Sequence, residues 1–106
     1  SGLPSDSFTF HGFLPQKKGR LKKIQNLVHA NNTIILFESP FRLEKTLTQL
    51  LEHLGDRSVV VGRELTKLYE EIIRGNLSDV LEYFSKSKVK GEIVIMIGKN
   101  EDRIQF

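Results

Sequence analysis

The chain has 106 residues, 39% of them hydrophobic and 27% charged, with a formal net charge of +3. That length suits one domain with a real core but is small for an enzyme enclosing both a cofactor and a large substrate, and no apolar run approaches the roughly 18 residues of a membrane span. There is no cysteine to form disulfides or thiolate metal sites, and the three histidines, His11, His29 and His53, are scattered, so no metal site is expected.

No secretory signal pattern is visible at the N-terminus, which begins at Ser1, so a soluble, cytoplasmic product cut from something longer is the expectation. Residues 8–14, FTFHGFL, alternate bulky apolar with small or polar residues and predict a first strand, ended by Pro15. From Lys18 to about Ala30, Leu21, Ile24, Leu27 and Val28 recur at helical spacing. Lys17, Lys18, Arg20, Lys22 and Lys23 crowd its N-terminal end with no acid among them, where they oppose the helix dipole. A solvated helix start and a phosphate-contacting patch both fit that cluster.

Asn31-Asn32 reads as a turn, and TIILFE (33–38) as a strand buried on both faces. Ser39 as N-cap and Pro40 at the first helical position predict that a helix begins at once. Leu43, Leu47, Leu50, Leu51 and Leu54 supply its buried stripe, and Gly55 its stop. SVVVGRE (58–64) predicts a third strand and LTKLYEE a short connection or a single helical turn. EIIRGN (71–76) predicts a fourth strand antiparallel to the third, because the link is too short for a crossover helix. Asn76 and Asp79 resemble a capping box before a helix carrying Leu77, Val80, Leu81 and Phe84; a basic turn, KSKVK, then leads to the last strand, GEIVIMIG (91–98). The order is β-α-β-α-β-β-α-β, an α/β domain of two or three layers around a mixed five-stranded sheet with flanking helices.

Ligands of open α/β sheets bind where strand carboxyl ends and helix starts converge. Glu38 and the pair Arg63-Glu64 end two strands, and Arg42 follows one turn into the helix. These four residues fit either a structural ion-pair network or a ligand surface. No catalytic triad, HExxH or phosphate-cradling glycine loop decides between them.

The segments SGLPSDSFTFHGFLPQKKGR (1–20), FESPFR (37–42), RELTKLYEE (63–71) and KGEIVIMI (90–97) resemble, in order, the C-terminal half of the ribosomal RNA small-subunit methyltransferase I family, within the tetrapyrrole methylase superfamily. The resemblance implies an S-adenosylmethionine-dependent enzyme that methylates a cytidine ribose 2′-hydroxyl in small-subunit ribosomal RNA. It also implies a homodimer of two-domain subunits with the cofactor between the domains. Residues 1–7 would end the joining segment and residues 8–106 form the C-terminal domain, inactive without the other half. By motif, Glu38, Ser39, Pro40, Arg63, Thr66, Gly91 and Glu92 would lie on the cofactor side. Lys17, Lys18, Arg20, Lys22, Lys23 and Arg42 would contact RNA, and Glu64 with Lys67 would assist loss of the hydroxyl proton. Phe41 departs from the histidine common in the family, so any hydrogen bond from that ring is lost. A tetrapyrrole methylase and a non-catalytic binding or dimerisation module are the competing readings; clustered cations favour phosphates over a porphyrinoid.

Overall fold

A computed structural model describes residues 8–29, 32–66, 69–86 and 91–98, with 64–66, 69 and 70 described through their backbone. The elements follow the predicted order: β1 (Phe8–Phe13), α1 (Arg20–Leu27), β2 (Thr33–Glu38), α2 (Leu43–Leu54), β3 (Ser58–Thr66), β4 (Tyr69–Asn76), α3 (Leu77–Ser85) and β5 (Glu92–Ile97). They form one five-stranded sheet in the order β1-β2-β5-β3-β4. β1 is parallel to β2, and the other three neighbouring pairs are antiparallel, as a mixed sheet requires.

Since β2 and β3 both oppose β5, they run parallel to each other. The β1–α1–β2 and β2–α2–β3 crossovers therefore step the same way along the sheet, and right-handedness places α1 and α2 on one face. β4 and β5 run the other way and step back, so the same rule places α3 there too. The domain thus has two layers. Ile24 and Leu27, then Leu43, Leu47, Leu50 and Leu54, then Leu77, Val80 and Phe84 pack on Ile34, Leu36, Val59, Val61, Ile93, Ile95 and Ile97.

One-sided cover corrects the reading of TIILFE as buried on both faces. Ile34 and Leu36 are fully buried, whereas Ile35 and Phe37 point the other way and are half-buried. Phe10 and Phe13 are 60% and 63% exposed, and both pack their rings on Phe37. Among the described residues no helix covers this second face.

Several element ends differ from expectation for local reasons. β1 slips register between Phe10 and Gly12, leaving His11 as the extra residue beside a Gly12 at φ 66°, where a side chain would be strained. α1 starts only at Arg20, after Gly19 turns the chain at φ 83°, so Lys17 and Lys18 belong to the turn ahead of the helix. The expected connection LTKLYEE is mostly strand: β3 runs to Thr66 and β4 resumes at Tyr69, because a continued hairpin ladder satisfies the backbone. The expected capping box is absent, as Asn76 makes no side-chain cap bond. Asp56, from the turn after α2, accepts instead from the Ser78 N–H at 2.8 Å and the Ser78 hydroxyl at 2.6 Å.

Candidate functional site

The carboxyl ends of β1, β2 and β3 and the start of β5 meet at one edge of the sheet. A groove of about 330 Å³ opens there, lined by Phe13, Phe37, Glu38, Ser39, Pro40, Gly91, Glu92, Ile93 and Val94. It gathers five residues expected on the cofactor side: Glu38, Ser39, Pro40, Gly91 and Glu92. Its apolar wall of Phe13, Phe37 and Val94 was not foreseen, because strand periodicity says that alternate residues share a face but not which face stays uncovered.

Glu38 lines the groove, and its side chain, on the face of Leu36, is buried and reaches Thr46 of α2. Oε2 accepts from the Ser39 N–H at 2.7 Å and lies 3.3 Å from Arg42 Nε. Oε1 accepts from the Thr46 hydroxyl of α2. A buried carboxylate without such donors would be costly, and these satisfy it locally.

The same bonds explain why the helix does not begin at Ser39-Pro40. Ser39 to Arg42 form a turn closed by the Arg42 N–H on the Ser39 carbonyl at 3.0 Å, with Pro40 at the position its fixed φ suits. The Ser39 hydroxyl accepts from the Phe41 N–H at 3.2 Å, two residues on, and α2 follows only at Leu43.

Arg20 is the clearest departure from the expected RNA contacts. It is buried, and it donates from Nε to Gln49 Oε1 at 2.8 Å, from Nη1 to the Pro15 carbonyl at 3.1 Å and from Nη2 to Thr46 Oγ1 at 2.6 Å. A guanidinium so engaged inside the fold has no fork left for phosphate. Lys17, Lys18 and Lys22 are exposed, Lys23 is half-buried, and Arg42 is partly exposed beside Glu38. Thr46 and Gln49 were missed, although a threonine at helical spacing among Leu43, Leu47 and Leu50 signals a buried hydroxyl needing partners.

Arg63 occupies the same row as Glu38, both in register with Ile93 of the intervening β5. Two strand spacings put them about 9.5 Å apart, and they bond different partners. Arg63 pairs with Glu71 across β4, and the Tyr83 hydroxyl of α3 donates to Glu71 at 2.7 Å. Among the described side chains, the expected cluster of Glu38, Arg42, Arg63 and Glu64 thus divides into a Glu38–Arg42 pair and an Arg63–Glu71 pair, and the Glu64 side chain lies outside those described. The Tyr83 bond is the main cause holding the Glu71 carboxyl below the usual carboxylate range; Arg63 adds to it and partial burial opposes it. Glu64 is in register with Glu70 and Glu92, and Thr66 with Tyr69; Lys67 lies outside the described residues.

Among the described residues no cluster of three or more His, Asp or Glu side chains is placed to hold a metal ion. None of the described helices is long and apolar enough to cross a membrane.

Comparison with known proteins places this arrangement. A ribosomal RNA small subunit methyltransferase I from Thermotoga maritima is 44% identical over 101 residues, covering 95% of this chain and 46% of the relative. One from Bacillus subtilis is 42% identical over 106 residues, covering 98% and 36%. The chain thus spans less than half the length of these relatives. Among solved structures, the cobalt precorrin-4 methyltransferase CbiF shares the fold at a TM-score of 0.64 and 21% identity, covering 92% of this chain and 44% of its own. The methyltransferase CobJ does so at 0.64 and 16%, covering 93% and 44%. The family model described as Tetrapyrrole (Corrin/Porphyrin) Methylases matches residues 2–81, and the chain belongs to that family.

Proposed function

We propose that this domain is the C-terminal half of an S-adenosylmethionine-dependent methyltransferase acting on a cytidine ribose 2′-hydroxyl of small-subunit ribosomal RNA. The observation that carries the proposal is similarity of 42–44% along nearly the whole chain to proteins named for ribosomal RNA methylation. A groove at the strand ends and exposed lysines at Lys17, Lys18 and Lys22 support the reading. The tetrapyrrole reading has support from CbiF, but at 21% identity that likeness reports the fold alone.

The groove fits one wall of a cofactor pocket. Phe13, Phe37 and Val94 offer an apolar surface suited to an adenine ring, and the exposed Glu92 beside Gly91 offers acceptors for ribose hydroxyls or an ammonium group. The cofactor supplies a methyl group activated on a sulfonium. Most of the acceleration comes from holding the ribose oxygen in line with that methyl group. Glu64 with Lys67 is placed by motif to assist loss of the hydroxyl proton, with Arg63 and Thr66 on the same strand as neighbours of the cofactor. Glu38 and Arg20 build the frame of the site, while Lys17, Lys18, Lys22, Lys23 and Arg42 meet phosphates. The complete enzyme is read as a cytoplasmic homodimer with its first domain closing the groove, so that the domain alone is silent.

The test is transfer of labelled methyl groups from S-adenosylmethionine to small ribosomal subunits lacking the modification, using the complete enzyme. Label on a ribose 2′-oxygen supports the reading. Label found only on a tetrapyrrole acceptor replaces it with the superfamily's other substrate class, and label on neither points to a binding module.

A further inference from the structure

We propose that Phe41 is a stacking platform for an unpaired RNA base, set beside a cationic loop that takes the adjacent phosphates. This rests on the RNA reading above.

Phe41 is 96% exposed, so its ring contributes nothing to the core. It is nevertheless on a firmly held turn. The Phe41 N–H is bonded to the Ser39 hydroxyl, the Arg42 N–H to the Ser39 carbonyl, and the Ser39 N–H to the buried Glu38 carboxylate. From Glu38 the bonds continue through the Thr46 hydroxyl to Arg20, and Arg20 holds the Pro15 carbonyl through Nη1 and the Lys17 carbonyl through its own N–H. One buried frame therefore fixes two surface features: the turn carrying Phe41 and Arg42, and the loop carrying Lys17 and Lys18.

An aromatic ring followed at once by Arg42, on a turn tied through one frame to the loop of Lys17 and Lys18, has the combination used to bind single strands, in which cations follow the backbone and the ring takes a base. A protein partner would also cover a phenylalanine. The chain neighbours of Phe41, however, are Ser39, Pro40 and Arg42, whereas the exposed phenylalanines Phe10 and Phe13 belong to the open sheet face. The cationic setting favours RNA.

The experiment uses the complete enzyme and a short fluorescent single-stranded oligoribonucleotide, followed by anisotropy, with a second oligonucleotide carrying 2-aminopurine to report stacking. Phe41→Ala and Phe41→Leu should each weaken binding about 5- to 150-fold, the loss expected for one stacked base. Phe41→Trp should retain both affinity and 2-aminopurine quenching. Unfolding midpoints should match the wild type, because the ring is exposed. If Phe41→Leu binds RNA like the wild type while Phe41→Ala loses its subunit or domain contacts, the ring docks protein and the proposal fails. If the wild type methylates RNA and Phe41→Ala binds it equally well, stacking fails and the RNA reading survives. A wild type that neither binds nor methylates RNA overturns both.

Discussion

Arg20 and Glu38 approach to 4.0 Å inside the fold, yet the tighter path between them runs through Thr46. The Thr46 hydroxyl has one proton, which goes to Glu38, and its lone pairs receive Arg20 Nη2. A cation and an anion are thus joined by a neutral group that belongs to neither chain segment. Because Arg20 starts α1, Glu38 ends β2 and Thr46 lies in the first turns of α2, this one hydroxyl ties two helices to the strand whose end lines the groove.

Thr46→Val keeps the shape and removes that hydroxyl. It should cost about 1–3 kcal/mol, the penalty for leaving buried polar groups unpartnered. Thr48→Val, whose hydroxyl bonds the Glu44 carbonyl at the surface, should change stability by less than about 0.5 kcal/mol. Urea unfolding of the two variants checks the contrast, and equal losses would argue against the Thr46 link.

Arg57 offers a second test. It is buried, and it donates from Nε to the Leu54 carbonyl and from Nη2 to the Val28 carbonyl, each at 3.2 Å. It therefore closes the C-terminal ends of α2 and α1 together, where a cation also complements both helix dipoles. Burial pulls its pKa below the ordinary arginine value. Arg57→Met should retain the packing but cost about 1–3 kcal/mol in missing bonds to carbonyls, read from the shift in the denaturant midpoint.

Stability should fall in two steps on acidification. Burial, assisted by Lys23, lowers the pKa of His11 from 6.5, so below that pH the unfolded chain binds a proton that the folded histidine resists. Stability is therefore lost from pH 6.5 down to the folded pKa, and this step should be absent in His11→Leu. Glu71, lowered from 4.5, stabilises the fold fully above that pH and ceases to do so as pH falls through its depressed folded value. Tyr83→Phe, which removes the main cause, should shrink this second step. Thermal unfolding midpoints against pH separate the two.

Salt dependence distinguishes the cations that the sequence groups together. Lys17→Ala and Lys18→Ala should each reduce the slope of log affinity for single-stranded RNA against log salt by about 0.7, the value expected when one phosphate is no longer neutralised. Arg20→Lys should leave the slope unchanged, since Arg20 is buried, but lower the unfolding midpoint because an ammonium cannot reproduce its three-way fork. A reduced slope for Arg20→Lys would return that residue to the RNA surface.

The sheet was legible because its strands are marked by β-branched runs and its helices by leucines at helical spacing. TIILFE and GEIVIMIG could hardly be anything else, and Gly55 ends α2 as its position implied. The groove was legible in part, through the Glu-Ser-Pro turn and Gly91-Glu92. The fate of individual charges was not. Arg20 sits among lysines and looks like one more surface cation, yet it is the member of the cluster that α1 turns inward beside Ile24 and Leu27.

Periodicity and turn chemistry are local, so the sequence alone determined the order of elements, the apolar stripes of α2 and α3 and the antiparallel hairpin of β3 and β4. Charge partners depend on long-range approach. Only the tertiary structure decided that Glu38 meets Thr46 and Arg20, that Arg63 meets Glu71, and that Asp56 caps α3 in place of Asn76. The physical reason is that a buried polar group takes whichever partner the packing of the core brings within bonding distance, and that distance is set by how helices seat on the sheet.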